Sequence, residues 1–201
     1  MESKYSTIIK LLRGREIIQY IHKVATLRIA IFREYPYLYQ GDISYEERYL
    51  RMYSRTKNAI LVIAENDNEV VGAITGLPLA ESMQEIKDLF VKKNIPAERI
   101  FYLGEIILLP EYRNKNIGFM MYQQFEKAVN EMQLYKKIAL CEVVREEKDL
   151  RKPQGYKSLD SFWNRQGYEK HKDLVAEFSW QEIEADVETM HPMVFWIKES
   201  L

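Results

Sequence analysis

Between Arg113 and Gly118 the chain reads RNKNIG, a polar run set between an apolar stretch ending in Pro110 and an amphipathic one opening at Ile117. The apolar residues Ile117, Met120, Met121, Phe125, Ala128, Val129 and Met132 recur at i, i+3, i+4 spacing, the stripe of a helix packed on a sheet. A strand feeding a helix through a small loop leaves the first backbone N–H groups of that helix unpaired and convergent. Those donors and the helix dipole suit a phosphate, so the pattern predicts a phosphorylated ligand at this turn. The common nucleotide motifs do not fit. A P-loop needs Lys and Ser or Thr after its second Gly, whereas Phe119 and Met120 follow Gly118. A dinucleotide fingerprint needs three glycines at the start of its unit, and only Gly118 is present.

The elements that must position this turn can be read in order. Tyr5 to Leu12 is an expected strand, and Arg15 to Arg33 an expected long helix ending before Pro36. Ser44 with Glu47 is a capping-box signal for a second helix to about Ser54, with Tyr45, Tyr49, Met52 and Tyr53 along it. Ala59 to Ala64 and Val70 to Leu77 read as a hairpin joined by ENDNE. Ser82 with Glu85 repeats the capping signal. The strand, loop and helix around RNKNIG follow, then a strand KIALCEVV from Lys137 to Val144. Ser158 is the expected cap of a short helix to Arg165, stopped by Gly167. Strands from Leu174 to Trp180 and Met193 to Lys198 complete the series.

Length and composition bound the answer. The chain has 201 residues, 47% of them hydrophobic, enough for one sizeable core, and one domain over 1–201 is expected. A net charge of -1 gives no electrostatic basis for binding nucleic acid. No run approaches membrane-span length, and MESKYSTIIK lacks the apolar core and cleavage site of a signal peptide. Cys141 is the single cysteine, so no internal disulfide forms and a reducing, cytoplasmic location is expected.

The loop RNKNIG resembles the Arg/Gln-x-x-Gly-x-Gly/Ala loop with which the GNAT N-acetyltransferase superfamily holds the pyrophosphate of acetyl-CoA. Arg113 takes its first position and Gly118 its last, while Asn116 stands where the family usually has Gly. Asn enters left-handed backbone geometry at low cost. The preceding LLPEYR is similar to the hydrophobic-x-Pro-x-x-Arg run of the family, and the whole element order matches its layout. SLDSFWNRQGY, HPMVFWIKES, YPYLYQGDISYEERYL and TGLPLAE also resemble a poorly characterised bacterial branch of the superfamily. The resemblance implies an α+β fold, a mixed twisted sheet of about six or seven strands flanked by helices. It further implies acetyl-CoA as co-substrate, with Leu108, Arg113, Asn114, Lys115, Asn116, Ile117, Gly118 and Phe119 as its binding residues.

Acetyl transfer to an alkyl amine needs a free nucleophile, and at neutral pH only about one amine in a thousand is deprotonated, roughly 4 kcal/mol of barrier. A base removes that proton, and a hydrogen-bond donor stabilises the thioester oxygen. Several GNAT enzymes carry a carboxylate on the strand before the pyrophosphate loop, which makes Glu105 the first candidate base and Glu142 the second. The same resemblance implies that backbone groups near Leu108 receive the pantetheine arm and stabilise the oxyanion. Many relatives place an acidic tyrosine four residues before the Gly of the late helix. Trp163 stands there, and its indole N–H cannot give up a proton at physiological pH. Tyr156 is the candidate replacement, with water as the alternative. Tyr37, Tyr39 and Asp42, in a connection that borders the acceptor in GNAT proteins, and Glu81 form a candidate rim for a cationic amine.

Other residues fit structural roles. Cys141 lies in an apolar strand and reads as a packed thiol. His22, His171 and His191 have no metal-ligand spacing, so no metal site is expected. Lys115 and Arg165 suit either CoA phosphates or a solvated surface. Two function classes follow: an acetyltransferase acting on a small-molecule or protein amine, or a GNAT-fold module that binds acyl-CoA without turnover. The terminal VFWI strand is able to pair within the chain or across a homodimer axis.

Overall fold

A computed structural model describes residues 7–200. The expected first strand includes Tyr5 and Ser6, which lie outside the described residues; its described part, β1, spans Ile8–Arg13. The expected first helix opens as a 3-10 stretch, Gly14–Tyr20, and becomes α1 at Ile21–Phe32. There follow α2 (Ile43–Arg55), β2 (Ile60–Asn66), β3 (Glu69–Pro78), α3 (Gln84–Lys92), β4 (Ile100–Leu108), α4 (Ile117–Glu131), β5 (Lys137–Val143), α5 (Asp160–Arg165), β6 (Glu169–Gln181) and β7 (Glu188–Glu199). No helix among the described residues is long and apolar enough to cross a membrane.

Neighbouring strands give the order β1-β2-β3-β4-β5-β7-β6, a seven-stranded sheet. The pairs β1–β2, β2–β3, β5–β7 and β6–β7 are antiparallel, and β4–β5 is parallel. The parallel ladder covers Ile100↔Lys137, Phe101↔Ile138 and Tyr102↔Ala139 and ends there. The β2–β3 hairpin turns on Asp67 and Asn68, both with positive φ (50° and 66°), as a two-residue primed turn requires. Both edges of β7 are taken within the chain, by β5 and β6, so VFWI pairs internally.

The fold divides into two compact units. The first holds residues 7–31, 42–77 and 103–134; there α4 buries Met121, Tyr122, Phe125, Ala128 and Val129 against β1 and β2. Every residue of β2 is buried, as expected of a strand covered on both faces. The second holds 32–41, 78–102 and 135–200, with a core of Leu79, Ile86, Phe90, Ile100, Tyr102, Leu174 and Phe195. Residues 100–102 of β4 belong to the second unit and 103–108 to the first.

Local details differ from the sequence reading for physical reasons. Asp42, not Ser44, caps α2: its carboxylate accepts from the Tyr45 amide at 2.7 Å, and a carboxylate serves the helix dipole better than a hydroxyl. The buried face of α2 carries Glu46, Leu50 and Tyr53, while Tyr45 is exposed. Ser82 does not cap α3; its hydroxyl donates back to the Leu79 carbonyl at 2.6 Å, the local bonding with which Ser competes against helix caps. Ser158 does not cap α5 either; Leu159 takes the N-cap position, with no side-chain cap bond. On α4, Met120 is exposed and Tyr122 takes the buried place. The last two strands are longer than expected, 13 and 12 residues, and a register shift between His171 and Val175 interrupts their pairing.

Candidate active site

β4 leads into the turn through Pro110, which starts a one-turn 3-10 helix, Pro110–Tyr112. Asn114 (φ 58°) and Asn116 (φ 65°, ψ 0°) then take left-handed conformations, so the two asparagines do the work that glycine does elsewhere. The Arg113 side chain folds back, its Nε donating to the Leu108 carbonyl at 3.0 Å, which ties the turn to the end of β4. α4 begins at Ile117 with no side chain capping it and no acidic residue in its first turn. By contrast the first turns of α2, α3 and α5 hold Glu46, Glu85 and Asp160. The Met120 amide is the first to close a helical bond, onto the Asn116 carbonyl at 3.0 Å. Amides before it have no intrahelical acceptor by geometry, and they meet the positive end of the helix dipole. A Cβ at Gly118 would find only Leu108 Cδ2, at 3.9 Å, so the protein leaves that side of the first turn open. Gly72 on β3 has a different role: a Cβ there would lie 2.8 Å from Leu108 Cδ1 and 3.0 Å from Met121 Sδ, so its absence lets β3, β4 and α4 close up.

Glu105 lies on β4 and is 6% exposed. Its Oε2 is 2.5 Å from Arg28 Nη1, on α1, an ion pair that misses hydrogen-bond alignment; neither Glu105 oxygen accepts an aligned hydrogen bond from the described residues. Arg28 also bonds Glu46 on α2 through Nε and lies over the Tyr49 ring, 4.4 Å from its centroid. Burial opposes the Arg28 charge, but the Glu105 and Glu46 carboxylates outweigh it and hold the guanidinium well above its ordinary range. The Tyr49 and Tyr53 hydroxyls bond each other at 2.7 Å. Burial, then the facing phenol and Glu105, push Tyr49 upward; burial and Glu105 do the same to Tyr53. Sequence reading did not find this cluster. Its signal was present: Arg28 continues the stripe Ile21, Val24, Ala25 of α1, and Glu46 stands four before Leu50 on α2. A charge on a core-facing stripe requires a buried counter-charge.

The remaining candidates, Lys115 apart, lie in the second unit. Glu142 on β5 is ion-paired with Lys170 Nζ at 2.6 Å, and Lys170 Nζ donates a hydrogen bond to Asp160 at 3.2 Å. Trp163 is buried and packs against Tyr168, with ring centroids 5.3 Å apart. Tyr156 is half-buried, edge-on to Tyr35 at 4.8 Å; burial, then Tyr35, raises its phenol. Tyr37 packs between Phe32 (4.7 Å) and Trp180 (6.0 Å). Its carbonyl accepts from Trp180 Nε1 and Arg145 Nη2, and Arg145 Nε also bonds the Pro36 carbonyl at 2.6 Å. Tyr39 pairs by a single bridge with Glu182. Tyr35, Tyr37 and Tyr39 therefore share one segment fastened to β6. Glu81 is exposed, at the end of a 3-10 turn after β3. Lys115 is exposed with its Nζ 5.6 Å over the Tyr112 ring, and Arg165 is exposed on α5.

Comparison with known proteins decides the family. The model of the acetyltransferase (GNAT) family matches residues 24–152. The chain belongs to the GNAT acetyltransferase family. The mostly antiparallel seven-stranded sheet flanked by helices is thus that of a GNAT fold, and membership supports acetyltransferase activity in general terms. Solved structures agree on the fold. A ribosomal-protein-alanine N-acetyltransferase from Brucella melitensis is 11% identical with a TM-score of 0.62, over 96% of this chain and 99% of that one. An aminoglycoside 6'-N-acetyltransferase complexed with coenzyme A is 16% identical with a TM-score of 0.58, over 96% and 97%. The PaiA N-acetyltransferase of Thermoplasma acidophilum, in complex with coenzyme A, is 15% identical with a TM-score of 0.54, over 96% and 99%. No curated protein matches the chain.

Proposed function

We propose that this GNAT protein, with 1–201 acting as one domain, transfers an acetyl group from acetyl-CoA to a primary amine of a small molecule or a protein. The start of α4 carries the reading: uncapped amides, left-handed Asn114 and Asn116, no acidic residue in the first turn and an open face at Gly118. Amides from Asn114 to Phe119 hold the diphosphate, and Lys115 adds charge beside it. The bound co-substrate supplies the activated acyl group. Backbone groups near Leu108 receive the pantetheine arm, and the Leu108 amide is the donor to the developing oxyanion.

Glu105 takes the proton as the amine nitrogen attacks the thioester carbon, directly or through one water. The carbon–sulfur bond breaks, an acetamide forms, and the thiolate leaves with the electron pair. Its pKa is about 8.5 if it resembles a cysteine thiol, so protonation by water is sufficient. Two observations favour a second reading, a GNAT module that binds acyl-CoA without turnover: Glu105 is already paired with Arg28, and Trp163 replaces the usual acid. Thiol release from acetyl-CoA across a panel of alkyl amines, polyamines and N-terminal peptides separates them. Turnover that Glu105→Gln abolishes is the expected result. Tight CoA binding by calorimetry with no thiol release on any acceptor establishes the second reading instead.

A further inference from the structure

The last carbonyl of β4 is already engaged. Leu108 accepts there from Arg113 Nε at 3.0 Å, in an exposed hydrogen bond. Leu108 also supplies the atom that a Cβ at Gly118 would meet, Cδ2 at 3.9 Å. One residue thus holds the Arg113 side chain and flanks the open face of α4. All of these groups fall within residues 103–134 of the first unit.

The turn keeps its shape without that bond. Its backbone is closed by the Tyr112 N–H on the Leu109 carbonyl at 2.9 Å and the Arg113 N–H on the Pro110 carbonyl at 3.1 Å. The Leu109 N–H donates to the Val71 carbonyl at 2.9 Å, which fastens the end of β4 to β3. Arg113 itself is exposed, and one hydrogen bond from an exposed side chain is weak enough to exchange. A diphosphate offers the same guanidinium an opposite charge and two parallel acceptors, a stronger partner than a single carbonyl. Arg113 immediately precedes Asn114, where the left-handed residues and the uncapped amides of the α4 start begin. We propose that Arg113 couples the two ends of coenzyme A. Without ligand it covers the Leu108 carbonyl; a diphosphate at the start of α4 draws it away and frees that carbonyl for an amide N–H of the pantetheine arm. The inference rests on coenzyme A binding at this turn. It makes Arg113 a specificity device, favouring ligands that carry both a diphosphate and an amide arm over those that carry one.

The test titrates the nitrogen-15-labelled full chain with free pantetheine, alone and with saturating ADP, which together stand for the two parts of coenzyme A. In the parent, ADP should tighten pantetheine about fivefold, the effect of one released hydrogen bond. Arg113→Met removes the donor at an exposed position that tolerates the change. In that variant pantetheine alone should bind about fivefold tighter than it binds the parent, and ADP should add nothing further. An arginine that only braces the turn predicts otherwise, with pantetheine weakened or unmoved by the substitution. Either of those results, or a coupling to ADP that survives in Arg113→Met, overturns the proposal. The Arg113 Nε–H resonance, the one missing from Arg113→Met, should also shift when ADP binds; a resonance that stays still overturns it as well. Coenzyme A bound by neither protein ends the coenzyme reading and the coupling with it. Coenzyme A bound by both, with pantetheine indifferent to residue 113, ends the coupling alone.

Discussion

Replacing Gly104 by alanine tests the packing that holds Glu105 in place. The added Cβ would lie 2.4 Å from the Tyr53 hydroxyl, 2.7 Å from Thr75 Oγ1 and 3.3 Å from the Tyr49 hydroxyl. Contacts that short force a neighbour to move, and Tyr53, 1% exposed, has little room to do so. Its hydroxyl also bonds that of Tyr49 at 2.7 Å, so displacement breaks a buried hydrogen bond. Overpacking costs about 1–3 kcal/mol and the lost bond about 1 kcal/mol, for a total of about 2–4 kcal/mol. In a chain of this size that lowers the melting temperature by about 5–15 °C, read by circular dichroism. Tyr53→Phe removes the oxygen nearest the new methyl. The double variant Gly104→Ala/Tyr53→Phe should therefore be more stable than the sum of its parts by about 1 kcal/mol or more. A single variant melting within about 2 °C of the parent, or strictly additive effects, would refute the reasoning.

Two further expectations concern titratable groups in the second unit. Burial pushes the Cys141 thiol up to about 12, the Tyr102 hydroxyl at 3.1 Å opposing and Glu142 adding to the shift. Folded protein at pH 8 should therefore resist iodoacetamide while urea-unfolded protein reacts, and rapid labelling of the native state would contradict this. The Arg151 side chain, by hydrogen bonding, holds the Asp149 carboxyl at about 2. Its folded value lies below its unfolded one, so the stabilisation is present above about pH 4 and is lost as pH falls through about 2. Asp149→Asn should lower the melting temperature at pH 6 and cease to matter near pH 2; a deficit independent of pH would point to packing instead.

The strand, turn and helix around RNKNIG were legible because each boundary has a local chemical cause. Pro110 stops β4, asparagine tolerates positive φ at 114 and 116, and the apolar stripe of α4 repeats at helical spacing. The stripe misplaced Met120 because its 46% exposure depends on what the sheet offers, which periodicity does not record. Caps were misread where two polar residues compete for one helix start. Asp42 outranks Ser44, and Ser82 finds the nearer Leu79 carbonyl. The Arg28–Glu46–Glu105 cluster joins α1, α2 and β4, and no spacing rule connects positions that far apart in sequence. Only the charges on otherwise apolar stripes hinted at it. Tyr37 was read for its ring, but its backbone carbonyl, gripped by Arg145 and Trp180, fixes the segment in place.

Amide shifts during a titration of the nitrogen-15-labelled chain with coenzyme A test the central claim most directly. The N–H groups of Asn114, Lys115, Asn116, Ile117, Gly118 and Phe119 should move furthest, and Gly118→Trp, which fills the open side of the first turn, should abolish those movements without unfolding α4. Coenzyme A that binds while these six amides stay still, or that binds the tryptophan variant with unchanged affinity, would contradict the account.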